Sequence, residues 1–139
     1  MQTFLPYPDF QKTAQCLDYK RLGKQRVEAW QILQCLTGNG SLRWKNHPAV
    51  KMWKGFETVL AHYGYEMCGE WLRRGYKDSL SIKFFSYSLS KAEIKVPYWL
   101  GDEKFHSAHR SNLLRKDYGY YSKFDWKETD DMPYYWPVK

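Results

Sequence analysis

The chain has 139 residues, of which 43% are hydrophobic and 19% aromatic, which excludes intrinsic disorder and indicates one domain with a hydrophobic core. No run of about 18 apolar residues occurs, so we expect no membrane-spanning helix, and the opening ten residues lack the pattern of a signal peptide. The formal net charge of +7 favours a polyanionic partner, nucleic acid first.

The hydrophobic pattern predicts a mainly α-helical chain that forms a single compact domain over residues 1–139. Pro6 and Pro8 predict an extended or looped start. A first helix is expected from about Thr13, which is available as its N-cap, to Thr37, where the glycines of "TGNGS" end it.

A second helical region is expected to begin at Pro48, because proline is favourable at a first helical position. It continues to Gly75, which suits a C-cap, and Gly55 and Gly64 divide or bend it. Residues 79–98 alternate only weakly in hydropathy and are compatible with a strand, a helix or an irregular segment.

A later helix is predicted from about Glu103 to Lys116, with Asp102 as its cap. Its inward residues are expected to be Phe105, Ala108, Leu113 and Leu114. The long aromatic C-terminal segment that follows contains prolines and is expected to be irregular and to wrap around the helices.

The three cysteines are odd in number and widely spaced, which is typical of a reduced, cytoplasmic protein with buried thiols. No P-loop, GxGxxG, HExxH, GxSxG or zinc-finger spacing occurs. We therefore expect neither a metal nor a cofactor, and we expect a monomer.

The first predicted helix carries a row of polar residues beside its apolar face. At 100° per residue, Asp18 falls within that face, Gln25 lies next to it, and Arg21 and Glu28 flank it. The apolar members are Leu22, Ala29, Leu33 and Leu36, whereas Lys20, Lys24, Gln31 and Gln34 fall on a more solvent-like side. Charges beside a core are paired or functional, because burying them alone is costly. The row is either an internal salt-bridge set or an active-site wall with Glu28 or Asp18 as the acid/base.

The segment "FHSAHRSNLLRKD" concentrates basic and polar side chains on the later helix. His106 and His109 are three residues apart and share a face, but a metal pair would need a further ligand that this spacing does not supply. Phosphate binding by Arg110 and Lys116, with His109 as proton carrier, is the alternative to a solvated basic helix. Asn112 is either directed at the ligand or simply exposed.

The segment "RWKNHPAVKMW" interleaves basic residues with aromatic rings, as proteins that bind single strands or flipped bases do. Trp44, in a predicted loop, is the candidate for base stacking, with His47 close by in the chain. Trp53 has the spacing of a core residue.

Taken together, "FLPYPDF", "CLDYKRLGKQRVEAWQIL", "NHPAVKMWKGFE", "FHSAHRSNLLRKD" and "PYYWP" resemble, in the same order, a bacterial and phage family grouped with the pyrimidine dimer DNA glycosylases of the endonuclease V type. The resemblance covers most of the chain. It implies a small helical DNA-repair enzyme that flips a nucleotide and attacks the sugar C1′ with an N-terminal α-amine. A glutamate on the first long helix assists, and elimination then cuts the strand.

The sequence departs from that family pattern in two places. Gln2 is too large for routine removal of the initiator methionine, so we expect Met1 to stay. The family's glutamate falls near Gly23 or Lys24, where no acid stands, and Glu28 follows one helical turn later.

Two mechanisms are compatible with these departures. In one, a lysine, Lys24 or Lys20, forms a Schiff base with the sugar. In the other, which we favour, Asp18 or Glu28 stabilises an oxocarbenium-like sugar or activates water. Phosphate binding would then fall to Arg21, His109 and Arg110. The remaining residues expected at the substrate are Gln25, Arg26, Trp44, His47, His106, Asn112 and Lys116.

Three functional hypotheses remain open from the sequence. The first is a glycosylase that cleaves the N-glycosidic bond of a damaged or modified pyrimidine in duplex DNA, with a flipped base and possible lyase activity. The second is a non-catalytic nucleic-acid-binding protein of the same fold. The third is a nucleotide-processing enzyme or an interaction protein with an acidic tail.

Overall fold

The computed structural model describes residues 1–90 and 94–138. Within these ranges it contains seven α-helices and no β-strand, which confirms the mainly α-helical class. The helices are α1 (Phe10–Cys16), α2 (Tyr19–Leu36), α3 (Pro48–Lys51), α4 (Glu57–Arg73), α5 (Ser81–Leu89), α6 (Glu103–Lys116) and α7 (Tyr118–Tyr121). Two 3₁₀ turns cover Leu42–Trp44 and Ser122–Phe124. No helix in the described part of the chain has the length and apolarity needed to cross a membrane.

The single first helix expected over 13–37 is wrong, because the chain forms two helices there. Leu17 is extended between them, and α1 and α2 each begin after an aspartate. Asp9 and Asp18 each accept a hydrogen bond from a backbone N–H of the following first turn, as N-caps do. Thr13 is not a cap but a buried residue inside α1.

The second helical region is divided where a glycine allows it. Pro48 begins α3, as predicted, and the His47 side chain caps that helix. Gly55 has a φ of +89° and separates α3 from α4. Gly75, with a φ of +94°, follows the end of α4.

The weakly patterned region 79–98 contains a helix, α5, and packing explains how it docks. Gly64 lies inside α4, and a Cβ built there would be 2.3 Å from the ring of Phe84 on α5. The missing side chain therefore admits a fully buried aromatic ring between the two helices. Residues 91–93 of this region lie outside the described residues.

The later helix follows its prediction closely. Asp102 caps α6, and its side chain accepts a hydrogen bond from the backbone N–H of Lys104 over 3.1 Å. All four expected inward residues are buried. The tail starts with α7 rather than irregular chain and then runs irregularly over 125–138, where Trp126 stacks on Tyr121 at a centroid distance of 5.7 Å.

The core lies where α2 packs on α4 and where rings from several elements meet. Trp53 is fully buried, as predicted, and its ring contacts Tyr63 and Trp99. Cys16 and Cys68 are also buried, and burial raises the pKa of the Cys16 thiol to about 12. Both thiols therefore stay protonated at neutral pH and act as small apolar side chains.

Candidate active site

The opening segment of the chain, residues 2–6, has no backbone partner from a strand or helix, so its polar groups require other bonds. Thr3, Phe4 and Leu5 are buried, and side chains of the surrounding helices supply the missing partners. This arrangement fixes the position of the first residues and builds one wall of the site.

Side chains from α2 hold the first part of this segment. The N–H of Gln2 donates to Oε2 of Glu28 over 3.1 Å, and the N–H of Phe4 donates to Oε1 of Gln25 over 2.9 Å. In return, Nε2 of Gln25 donates to the carbonyl of Gln2 over 3.0 Å and to Oε2 of Glu28 over 3.2 Å. The polar row of α2 is therefore committed in part to binding the backbone of the opening segment.

Two histidines of α6 hold the next residue from the other side. The N–H of Leu5 donates to Nδ1 of His109 over 3.0 Å, and Nδ1 of His106 donates to the carbonyl of Leu5 over 2.8 Å. The direction of the second bond follows because Nε2 of His106 accepts from the N–H of Gly101. Burial lowers the pKa of His109 to about 3 and also lowers the pKa of His106, so both rings are neutral at pH 7.

Arg110 is occupied by groups of its own chain. Its Nη1 donates to the carbonyl of Pro6 over 2.8 Å, and its Nε and Nη2 donate to Oε2 of Glu128 over 3.0 and 2.9 Å. Nη2 also pairs with the carboxylate of Glu103. The guanidinium thus anchors the opening segment and the tail to α6.

A cavity of about 550 Å³ opens beside the first residue. Its walls come from the opening segment, the exposed side of α2, the N-cap of α3, the end of α6 and the tail. It is lined by Met1, Gln2, Phe4, Lys20, Arg21, Lys24, Gln25, Glu28, His47, Asn112, Lys116, Tyr134 and Trp136. Ligand cavities in proteins commonly have a volume of about 300–1,000 Å³, so the space suits a nucleotide-sized group.

The charges at the cavity are strongly unequal. Lys20, Arg21, Lys24 and Lys116 are cationic, whereas Glu28 is the sole carboxylate among the described residues that line it. Oε2 of Glu28 is engaged by Gln2 and Gln25, and its Oε1 lies 3.6 Å from Nζ of Lys24. Lys20 and Lys24 are exposed, as predicted, but the side of α2 that carries them forms a cavity wall rather than open surface.

Asp18 lies outside the cavity lining. Its carboxylate accepts hydrogen bonds from the hydroxyl of Tyr121 and from Nη1 of Arg21, the latter over 3.2 Å, and it caps α2. Burial alone would raise the pKa of this carboxyl, but the hydrogen bonds from Tyr121 and Arg21 outweigh it and lower the pKa. Asp18 therefore joins α2 to α7, and part of the polar row is the internal salt-bridge set considered from the sequence.

The two other regions chosen from the sequence are divided between cavity and support. His47 lines the cavity, and its ring contacts both Trp44 and Trp136 at centroid distances of 5.8 Å. Trp44 lies behind His47 and does not belong to the lining. Arg26 pairs with Asp78 on the other side of α2.

The structure therefore brings together about half of the residues chosen from the sequence. Those at the cavity are Arg21, Lys24, Gln25, Glu28, His47, Asn112 and Lys116. Those away from its lining are Asp18, Arg26, Trp44, His106, His109 and Arg110. Sequence reasoning missed Met1, Gln2, Phe4, Tyr134 and Trp136. The signal for the first three was the proline-flanked opening segment, whose unpaired backbone must be bound by side chains.

The fold and the cavity define a small helical protein with a cationic ligand site, a single lining carboxylate and, in the described part of the chain, no cluster of three potential metal ligands. Its sequence matches the family model of the pyrimidine dimer DNA glycosylases over residues 1–84, and the chain belongs to this family. No curated protein and no solved structure matches the chain. The family match includes the opening segment and α2, whereas α6 and the tail lie beyond it.

Proposed function

We propose that this protein is a DNA glycosylase that removes a damaged or modified pyrimidine by cleaving its N-glycosidic bond. The observation that carries the proposal is the position of Glu28, a 9% exposed carboxylate in a cavity otherwise lined by cations and rings. Family membership supports DNA as the substrate.

The cations suit the DNA backbone. Lys20, Lys24 and Lys116 are exposed on the cavity walls and can neutralise phosphates on either side of an extruded nucleotide. Tyr134 and Trp136 add aromatic surface beside them, on which a base can stack. A duplex bound in this way would place the sugar of the extruded nucleotide near Glu28.

The chemistry proposed for Glu28 follows from the charge that develops on the sugar. As the bond between C1′ and the base nitrogen breaks, positive charge accumulates on the sugar and a nearby carboxylate stabilises it. Glu28 also accepts a proton from water while the water oxygen bonds to C1′, and the base departs with the electron pair of the broken bond and takes up a proton. Since Asp18 lies outside the cavity lining, this proposal uses one carboxylate rather than two.

A lyase route is the finer alternative within the same function. An amine that attacks C1′ displaces the base, and the resulting Schiff base permits elimination of the 3′ phosphate. Lys20 and Lys24 line the cavity, and Met1 lies at the end of the segment held by Glu28 and Gln25. Glu28 would assist proton transfer in this route as well.

The test is incubation of the protein with ultraviolet-irradiated duplex DNA, with and without borohydride. Base release without a trapped adduct supports hydrolysis, whereas an adduct mapped by mass spectrometry to Met1, Lys20 or Lys24 supports the lyase route. Salt-sensitive binding with no base release from irradiated DNA or from duplexes carrying oxidised or deaminated pyrimidines would overturn the proposal in favour of a binding protein.

The Glu28→Gln variant separates a catalytic from a structural role. Glutamine keeps an oxygen that can accept from Gln2 and Gln25 and loses only the ion pair with the exposed Lys24, so we expect stability to fall by less than about 1 kcal/mol. Base release should fall by about 100-fold or more. Glu66→Gln on α4, outside the cavity lining, is the matched control and should keep full activity. An unchanged rate per folded Glu28→Gln molecule would contradict the proposal.

A further inference from the structure

Asn112 is the polar residue of the cavity whose hydrogen bonding is incomplete. It lies on α6, is 3% exposed and lines the cavity. Its Oδ1 is buried and has no hydrogen-bond partner among the described residues. Leaving a buried acceptor unpaired is costly, and such groups are few in folded proteins.

The neighbouring polar residues of α6 do not share this feature. The hydroxyl of Ser111 accepts a hydrogen bond from the N–H of Met132 over 3.1 Å, and Nδ1 of His109 accepts from Leu5. These residues stabilise the tail and the opening segment. Asn112 stabilises neither, so the ligand-free fold supplies no reason for an amide at this position.

The chemistry of the missing partner restricts the ligand. An unpaired oxygen requires a donor, and the sugar–phosphate backbone of DNA has none within the chain, since its phosphates and ring oxygens only accept. The N–H groups of DNA lie on the edges of its bases. Inside a duplex the Watson–Crick edges are paired, so the base must leave the helix to present them.

We propose that Asn112 recognises the hydrogen-bonding edge of a nucleobase that has left the DNA helix and entered this cavity. The inference rests on the proposed function, and it assigns base recognition to α6, beyond the region of the family match. Oδ1 accepts from a base N–H, and the amide nitrogen donates to the acceptor beside it, as amide side chains do when they bind a base edge. Lys116, one helical turn later, binds the adjacent phosphate.

A ligand-binding role and a structural role predict opposite effects on stability. Because Oδ1 is unpaired without ligand, Asn112→Ala and Asn112→Leu should unfold at the same temperature as the wild type or higher. If both variants melted well below the wild type, Asn112 would have a structural partner and the inference would fail.

The binding test uses shape analogues that lack hydrogen-bonding groups. Duplexes carry one nucleotide opposite a tetrahydrofuran residue, so that its extrusion costs little. That nucleotide bears thymine or its apolar isostere difluorotoluene, and a second pair bears adenine or 4-methylbenzimidazole. We expect the wild type to lose about fivefold or more in affinity on at least one of the two exchanges. Asn112→Ala should bind both members of that pair equally.

The control and the contrary outcomes are distinct from those of the proposed function. Asn39→Ala removes an exposed amide outside the cavity lining and should keep the wild-type discrimination. Wild-type protein that binds each isostere as tightly as its natural base, or Asn112→Ala that still discriminates, overturns the inference while leaving glycosylase activity untouched. Wild-type protein that binds none of the duplexes overturns the proposed function and this inference with it.

Discussion

The backbone N–H of Phe4 donates to Oε1 of Gln25, so a side chain of α2 determines where the opening segment lies against the cavity. The hydroxyl of Tyr63 also lies 2.7 Å from that oxygen. We expect Gln25→Leu to lower the free energy of unfolding by about 2 kcal/mol, because it leaves the buried N–H of Phe4 without an acceptor. Urea denaturation measures the loss, and base release should fall further than stability because Gln2 also loses its bond to Gln25.

The control for this substitution is Gln31→Leu. Gln31 lies on the exposed side of the same helix and should tolerate leucine with a change within about 0.5 kcal/mol. Equal losses in the two variants would indicate a general effect on α2 rather than release of the opening segment.

The buried ring of His109 should make stability depend on pH. Its pKa is about 3 in the folded chain because of burial, so the unfolded chain alone binds this proton between pH 3 and about 6.5. Stability from this group is therefore complete above about pH 6.5 and is lost as pH falls toward 3. Between pH 7.5 and 5 the loss should be about 2 kcal/mol.

The variant that tests this dependence is His109→Asn, in which an amide oxygen can still accept from the N–H of Leu5. Urea denaturation at pH 5 and pH 7.5 should show a change in stability smaller by about 2 kcal/mol than in the wild type. His62→Asn, which replaces an exposed histidine, should leave the dependence as it is. A variant with the full wild-type dependence would show that another group titrates in this range.

The helices were predictable because local signals specified them. Asp102, Pro48 and Gly55 are cap, first-position and turn residues whose effect extends over a few neighbours, and each acts as predicted. The break at Leu17 was missed because the hydrophobic spacing continues across it. Asp18 was interpreted as a functional charge when it is also a cap, and both interpretations fit the same residue type.

The site was only partly predictable, because it depends on contacts between distant parts of the chain. The spacing on α2 identified Glu28 and Gln25, yet nothing local indicated that their partner is the backbone of Gln2 and Phe4. Likewise, His109 has the composition of a ligand-binding residue, but its acceptor atom is used by a residue 104 positions away. A polar residue next to a core requires a partner, and the sequence does not specify whether that partner is substrate or backbone.

Cations at the cavity should affect DNA binding differently from cations outside it. Lys116→Ala should reduce the slope of log affinity against log salt concentration by about 1, since one phosphate contact is lost. Lys104→Ala, which removes an exposed lysine of the same helix outside the cavity lining, should leave the slope unchanged. Arg110→Ala should also leave the slope unchanged while lowering stability, because Glu128 and Pro6 lose their donor.

The contact between α4 and α5 permits a test with two glycines of one helix. A Cβ at Gly64 would lie 2.3–2.7 Å from three atoms of the fully buried Phe84 ring, so Gly64→Ala should destabilise the protein by about 1–3 kcal/mol. At Gly69 the nearest atom is the flexible end of Arg73, 3.4 Å away, and Gly69→Ala should gain up to about 1 kcal/mol from helix propensity. Opposite shifts in melting temperature are therefore expected from the same substitution. A stabilised Gly64→Ala variant would show that α5 does not pack against α4 through Phe84.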